Sequence, residues 1–249
     1  MKHNAVRWEL VFGIGLIVLA ALLHYSHFLV FGEVSPLLSF LGKKIAFVPL
    51  EVLFITLIFH RLLGMHERSM LKKKMNMLSG AFFSEVGSDL IGILHRAASI
   101  DPEKAQKIAV RDSWTKKDFD RAIREIPGMT ITMNADLSIL HALRELLTAK
   151  RQYLILLLGN PNLLEHESFS DMLWAAFHLS DELSRRPDLE SLPRSDIAHL
   201  ENDARRVYVE LLLEWLSHLA HLKKAYPYLF SLEMRTNPFD PDSSVVVST

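Results

Sequence analysis

Hydrophobic and polar positions divide the chain into two parts. From Leu10 to Gly32 no Asp, Glu, Lys or Arg interrupts an apolar run of 23 residues. As a helix it rises ~35 Å, enough to cross a hydrocarbon core with some tilt. Trp8 at one end, and Tyr25 and Phe31 near the other, suit interfacial positions. A signal peptide would carry a shorter core and a small-x-small cleavage site. This run ends in His24-Tyr-Ser-His27-Phe instead, so an uncleaved span is expected. A second run extends from Ile45 to His60, or to Leu63 if Arg61 snorkels. It contains Pro49 and Glu51, yet eleven Leu, Ile, Val and Phe residues lie between Ile45 and Phe59. Together these favour insertion by roughly 3–7 kcal/mol, against ~2.5–3.5 kcal/mol for one central carboxylate. Two membrane spans are therefore predicted, near 9–31 and 43–63. The link Glu33–Gly42 is too short to hold a domain, so the spans must be antiparallel neighbours.

Past Leu63 the period changes. Leu71, Met75, Leu78, Phe82, Val86, Leu90 and Ile93 recur at steps of three and four, one face of a helix over 65–98. Gly80 and Gly87 weaken it and allow a bend. Asp101-Pro102 and Thr115-x-x-Asp118 are helix starts, the second leading into Phe119–Ile126. Met129–Met133 alternates like a strand but is too short to make a sheet alone, so it reads as an extended link. Three longer helices follow: Ala135–Leu158, Ser168–Arg185 with Ser168 as cap, and Arg194–Ala225 between Pro193 and Pro227. Each has one apolar face, which implies a bundle. The expected fold is all-α: a two-helix transmembrane hairpin (1–63), a cytoplasmic α-helical bundle domain (64–236) and a flexible tail (237–249).

Charge adds the orientation. Lys2, Arg7, Arg61, Arg68, Lys72, Lys73 and Lys74 lie on one side of the spans, and only Lys43 and Lys44 on the other. Positive residues stay inside, so both termini are expected in the cytoplasm. Lys72, Lys73 and Lys74 stand where they could meet anionic lipid head groups. The net charge is −1, which argues against a nucleic-acid partner. The absence of cysteine excludes disulfides, thiolate metal sites and cysteine nucleophiles.

Candidate chemistry is sparse. No phosphate-binding glycine loop and no G-x-S-x-G elbow is present. Twelve histidines raise the question of metal. His178-x-x-x-Glu182 and Glu214-x-x-x-His218, with His221 one turn on, each put two donors on one helix face. His178, however, lies nearly opposite the stripe Phe169, Met172, Leu173, Ala176, Leu179 and Leu183, and Glu214 and His221 only flank theirs. No metal or other cofactor is therefore expected. Arg61 to His66 and Arg194 to His199 both match R-x-x-x-x-H, which resembles the motif of the helical HEPN ribonucleases. That resemblance implies Arg and His acting together on RNA, but Ser195 stands where the family often has a polar Asn, His or Asp, and no other part of the chain supports it.

The sharpest feature is an intramembrane polar cluster. Glu51 and His24 each lie six residues, ~9 Å, below the outer ends of their spans, and His27 is one turn above His24. Antiparallel neighbours at equal depth can bring them together, within a hairpin or between copies. The expected function is a membrane-anchored interaction or regulatory protein without evident catalytic activity, bound to the lipid bilayer, to an unknown protein partner or to further copies of itself. The alternatives are an oligomeric pore or small transporter with Glu51 in its path and, behind it, a ribonuclease or metal-dependent enzyme.

Overall fold

The computed structural model describes residues 2–31, 36–161, 163, 166–239 and 244–246. Most of these are helical, with one two-stranded sheet among them. The chain forms two compact units, Met1–Met70 and Leu71–Thr249.

The first unit pairs α1 (Lys2–Phe31) with the early part of α2 (Pro36–Phe82). Gly13 of α1 faces Leu53 of α2, where an added Cβ would stand 3.6 Å from Leu53 Cδ1. At the other end Gly42 of α2 lies against the imidazole of His27, and a Cβ there would collide with the ring. Low positions on one helix thus meet high positions on the other, so the two run antiparallel. Between these points Ala20, Ala46 and Pro49 are buried. The seam recurs at seven-residue steps on α1 (13, 20, 27) and at steps of four, three and four on α2 (42, 46, 49, 53). Such spacing is one face of a helix, and small residues on it let the backbones approach. Pro49 lies within α2 and has no N–H to return to the carbonyl one turn earlier. Most other described positions of the pair expose large apolar side chains, among them Ile14, Phe28, Phe54 and Phe59.

In the second unit α2 gives way to a π-turn, Phe83–Gly87, and then α3 (Ser88–Ala97). A single continuous helix was expected over 65–98; the irregularity falls at Gly87. A Cβ on Gly87 would stand 2.5 Å from Phe83 Cδ1 and 2.8 Å from Phe82 Cε1, so only glycine leaves room for both rings. Phe82 in turn meets Phe83 and Phe169 edge-on, at centroid distances of 5.3 and 5.6 Å.

Local capping chemistry sets the next starts. Asp101 Oδ1 accepts from the amides of Glu103 and Lys104 and opens α4 (Pro102–Ile108). Thr115 and Asp118 form a reciprocal capping box for α5 (Lys116–Glu125). The segment read as an extended link does pair. Its residues Ile131–Met133 (β2) run antiparallel to Ala98–Ile100 (β1), with Ser99 opposite Thr132. Two strands are marginal alone; here β2 packs against α9.

The helix expected over 135–158 is two, α6 (Leu137–Ala149) and α7 (Arg151–Leu158), broken at Lys150. Next, α8 (Glu167–Ser184) starts from His166, not from a Ser168 cap. The longest helix of this unit, α9 (Arg194–Ala225), is packed by α8, α5, α3 and α10 (Pro227–Arg235). Its stripe of Leu200, Ala204, Val207, Leu211 and Trp215 is at most 1% exposed. The segment after Asn237, expected to be loose, is held at Phe239, whose ring lies 4.8 Å from those of Trp215 and His95. Arg235 also donates to the Val245 carbonyl at 2.6 Å.

Candidate functional site

Of the residues proposed for the intramembrane cluster, Glu51 and His27 sit at different places on the helix pair. Glu51 is exposed, on the side of α2 away from the seam of Ala46, Pro49 and Leu53. His27 is half-buried against Gly42. The side chains of His24 and Lys72 fall outside the described residues. Lys73 and Lys74 are exposed.

A convergent set of polar groups lies instead on the rim between α8 and α9. Each helix supplies two residues four apart, which places both on one face. They are His178 and Glu182 from α8, and His199 and Asp203 from α9. His178 Nε2 and His199 Nε2 lie 3.3 and 3.4 Å from the same atom, Asp203 Oδ2. Glu182 is 3.9 Å from His178 through Oε1 and 3.7 Å from His199 through Oε2. Asp203 is 4% exposed and forms the floor of the cluster. Its Oδ2 is buried and accepts no hydrogen bond, although both imidazoles are near.

Arg186 fixes one wall. It donates to Asp196 through Nε and Nη2 at 2.6 and 2.7 Å, and to Glu182 Oε2 through Nη1 at 2.7 Å. These charge-assisted bonds hold the carboxyls of Glu182 and Asp196 below the usual carboxylate range. Both are therefore ionised at neutral pH. An open set of two imidazoles and two carboxylates can hold a cation or exchange protons with a bound group. Arg194, the other half of the R-x-x-x-x-H match, is exposed at the start of α9.

Sequence reasoning saw His178 with Glu182 but set the pair aside as lying off the core stripe. His178 does lie off that stripe, exposed on α8. Positions flanking the stripe of each helix meet at the rim of the helix pair, and there α9 brings His199 and Asp203. The legible signal was the doubled H-x-x-x-[DE] spacing, at 178/182 and again at 199/203.

The other histidine pattern resolves differently. His218 is 5% exposed and stacks on Phe83, with centroids 5.2 Å apart at 18°. Burial, with His221 beside it, pushes its pKa down to about 4. Burial likewise raises the carboxyl of Glu214. His221 engages Asn76, its Nδ1 lying 3.1 Å from the Asn76 amide nitrogen.

Fold and site together define a helical protein of two parts: an antiparallel helix pair with an apolar outer surface, and a helical domain carrying a His/carboxylate cluster. The chain belongs to the MJ1433 family: residues 2–63 match the MJ1433 N-terminal helical domain, and residues 71–235 match the C-terminal helical domain of "Uncharacterized protein MJ1433". It is 41% identical over 243 residues to the protein of that description from Methanocaldococcus jannaschii, covering 98% of each chain. No solved structure matches it.

Proposed function

We propose that this protein is a membrane-anchored interaction or regulatory protein, with both termini in the cytoplasm and the second unit as the part that meets a partner. The observation supporting the anchor is the outer surface of the first unit. Its helices turn Phe28, Val30, Ile45, Phe54, Ile58 and Leu63 outward, each more than half exposed. In water such a belt is a liability. In hydrocarbon it is the ordinary surface of a helix pair joined through glycine and alanine. A third stretch, Lys73–Ala97, is also long and apolar enough to cross a membrane. Its Phe82, Phe83, Val86, Leu90, Ile91 and Leu94 are at most 1% exposed within the second unit, so it is read as a core helix. Lys72, Lys73 and Lys74 would then lie near anionic head groups.

A cysteine placed at Ser35 is expected to react with an impermeant thiol reagent from outside the cell, and one at Ser243 only after permeabilisation. The reverse pattern overturns the orientation. Release of the full chain from membranes by alkaline washing overturns the anchor.

The outward position of Glu51 favours a second reading, an oligomeric pore or small transporter. A central carboxylate facing hydrocarbon costs ~2.5–3.5 kcal/mol, which a polar partner from another copy would reduce. Glu51→Gln and Glu51→Leu are expected to reach wild-type membrane levels but to form smaller oligomers in mild detergent. Equal oligomer size in all three forms removes the cluster. Ion flux in liposomes that both substitutions abolish places the pore ahead of the tethered regulator.

A further inference from the structure

We propose that His178, Glu182, His199 and Asp203 bind one divalent transition-metal ion, with Zn2+ the best fit to the donors and their spacing. Two imidazole nitrogens and two carboxylates are ordinary ligands for zinc. A tetrahedral site with bonds of about 2.1 Å has edges of about 3.4 Å. His178 Nε2 and His199 Nε2 lie 3.3 and 3.4 Å from Asp203 Oδ2 and 3.9 and 3.7 Å from Oε1 and Oε2 of Glu182 respectively, and His178, Glu182 and His199 offer ligand atoms within 4.8 Å of one another.

Hydrogen bonding explains these separations less well. All four exceed the usual N–H···O range of about 2.7–3.2 Å. Asp203 Oδ2 stays without a hydrogen bond even though it is buried and two imidazole nitrogens stand beside it. An unsatisfied carboxylate oxygen in a 4% exposed residue is costly, and its position beside two imidazoles suits a shared cation. A cation between the four groups satisfies it.

Charge and support agree. Glu182, Asp196 and Asp203 stand against one guanidinium, Arg186, which leaves two negative charges when the imidazoles are neutral. Arg186 grips Glu182 from behind, as an outer-shell partner orients a ligating carboxylate. The imidazoles are 48% and 49% exposed, so an ion can enter from solvent without unfolding the helix pair. Once bound, it would staple α8 to α9. The site does not depend on the membrane reading.

The test uses the full chain in detergent micelles, stripped with chelator and dialysed against Zn2+ or Co2+. The expected result is one ion per chain, a raised melting temperature, and the strong visible absorption of four-coordinate Co2+. His178→Ala and His199→Ala should each weaken binding at least tenfold with unchanged far-ultraviolet circular dichroism, since neither ring is part of the core. Asp203→Asn should weaken it similarly, and His141→Ala, at a half-buried histidine elsewhere, should not. Failure of the folded wild-type chain to take up a stoichiometric ion overturns the proposal. So does binding that survives His178→Ala and His199→Ala together, because other histidines would then hold the ion.

Discussion

Trp215→Ala is expected to destabilise the second unit by about 3–5 kcal/mol, the range for removing a buried tryptophan. For a unit of this size that lowers the melting temperature by roughly 6–20 °C. Trp215 is 1% exposed, in the C-terminal half of the helix that α3, α5, α8 and α10 all pack against. Its ring lies 4.8 Å from Phe239, so the truncation also frees the segment that follows α10. A cavity of about 250 Å³ already borders it, lined by His95, Tyr208, Leu212 and Phe239. The new space adds to an existing one, and collapse is correspondingly difficult. Trp215→Phe is the informative control. The indole nitrogen has no hydrogen-bond partner, so phenylalanine loses area but no polar contact, at about 1–2 kcal/mol. Thermal melts of the full chain in detergent, followed by circular dichroism, measure both. An alanine variant melting within a degree or two of wild type would refute a core built on this residue.

The second large effect is acid destabilisation centred on His218. Its ring is neutral in the fold, with a pKa pushed down to about 4 by burial. In the unfolded chain it titrates near 6.5. Above about pH 6.5 both states leave it neutral and it contributes no pH dependence. Between about pH 6.5 and 4 the unfolded chain takes up a proton that the folded chain refuses, so stability falls as pH falls. The total is on the order of 3 kcal/mol across that window. Asp181, Glu182 and Asp196 have lowered pKa values through Arg151 and Arg186. Their stabilisation is lost only below the unfolded carboxylate range, near pH 4, so the two losses separate. His218→Leu should make the limb between pH 6.5 and 4 shallower, leaving the part due to His95, whose pKa burial also lowers, and should leave the lower limb in place. A wild-type limb that persists in this variant would assign the effect to another histidine.

Much of the helical layout was legible because helix ends are written in three or four neighbouring residues. Asp101-Pro102 and Thr115-x-x-Asp118 cap α4 and α5 as read, and Pro193 and Pro227 bound α9 at Arg194–Ala225. The stripes were legible too, since burial on one helix face imposes its period on the sequence. Phe169, Met172, Leu173, Ala176, Leu179 and Leu183 are all at most 1% exposed. What escaped was non-local. Ala98–Ile100 looks like the end of a helix until Ile131–Met133 supplies its hydrogen bonds. Phe239 sits in a polar, proline-flanked stretch, and the rings of Trp215 and His95 give it a place.

The same division runs through the functional features. By itself the sequence determined a near-continuous apolar first part, a charged helical second part and the bias of Lys and Arg around two long hydrophobic runs. Those properties are sums over local composition, which no packing can alter. Tertiary structure decided that the third apolar stretch, Lys73–Ala97, is enclosed by protein, because its apolar face packs inside the second unit. It also decided that His178 and Glu182 share a rim with His199 and Asp203, and that Glu51 turns away from the helix beside it. Spacing places two side chains on one face of a helix; whether a second helix brings matching groups to that face depends on the register and crossing of the pair, which no local pattern encodes.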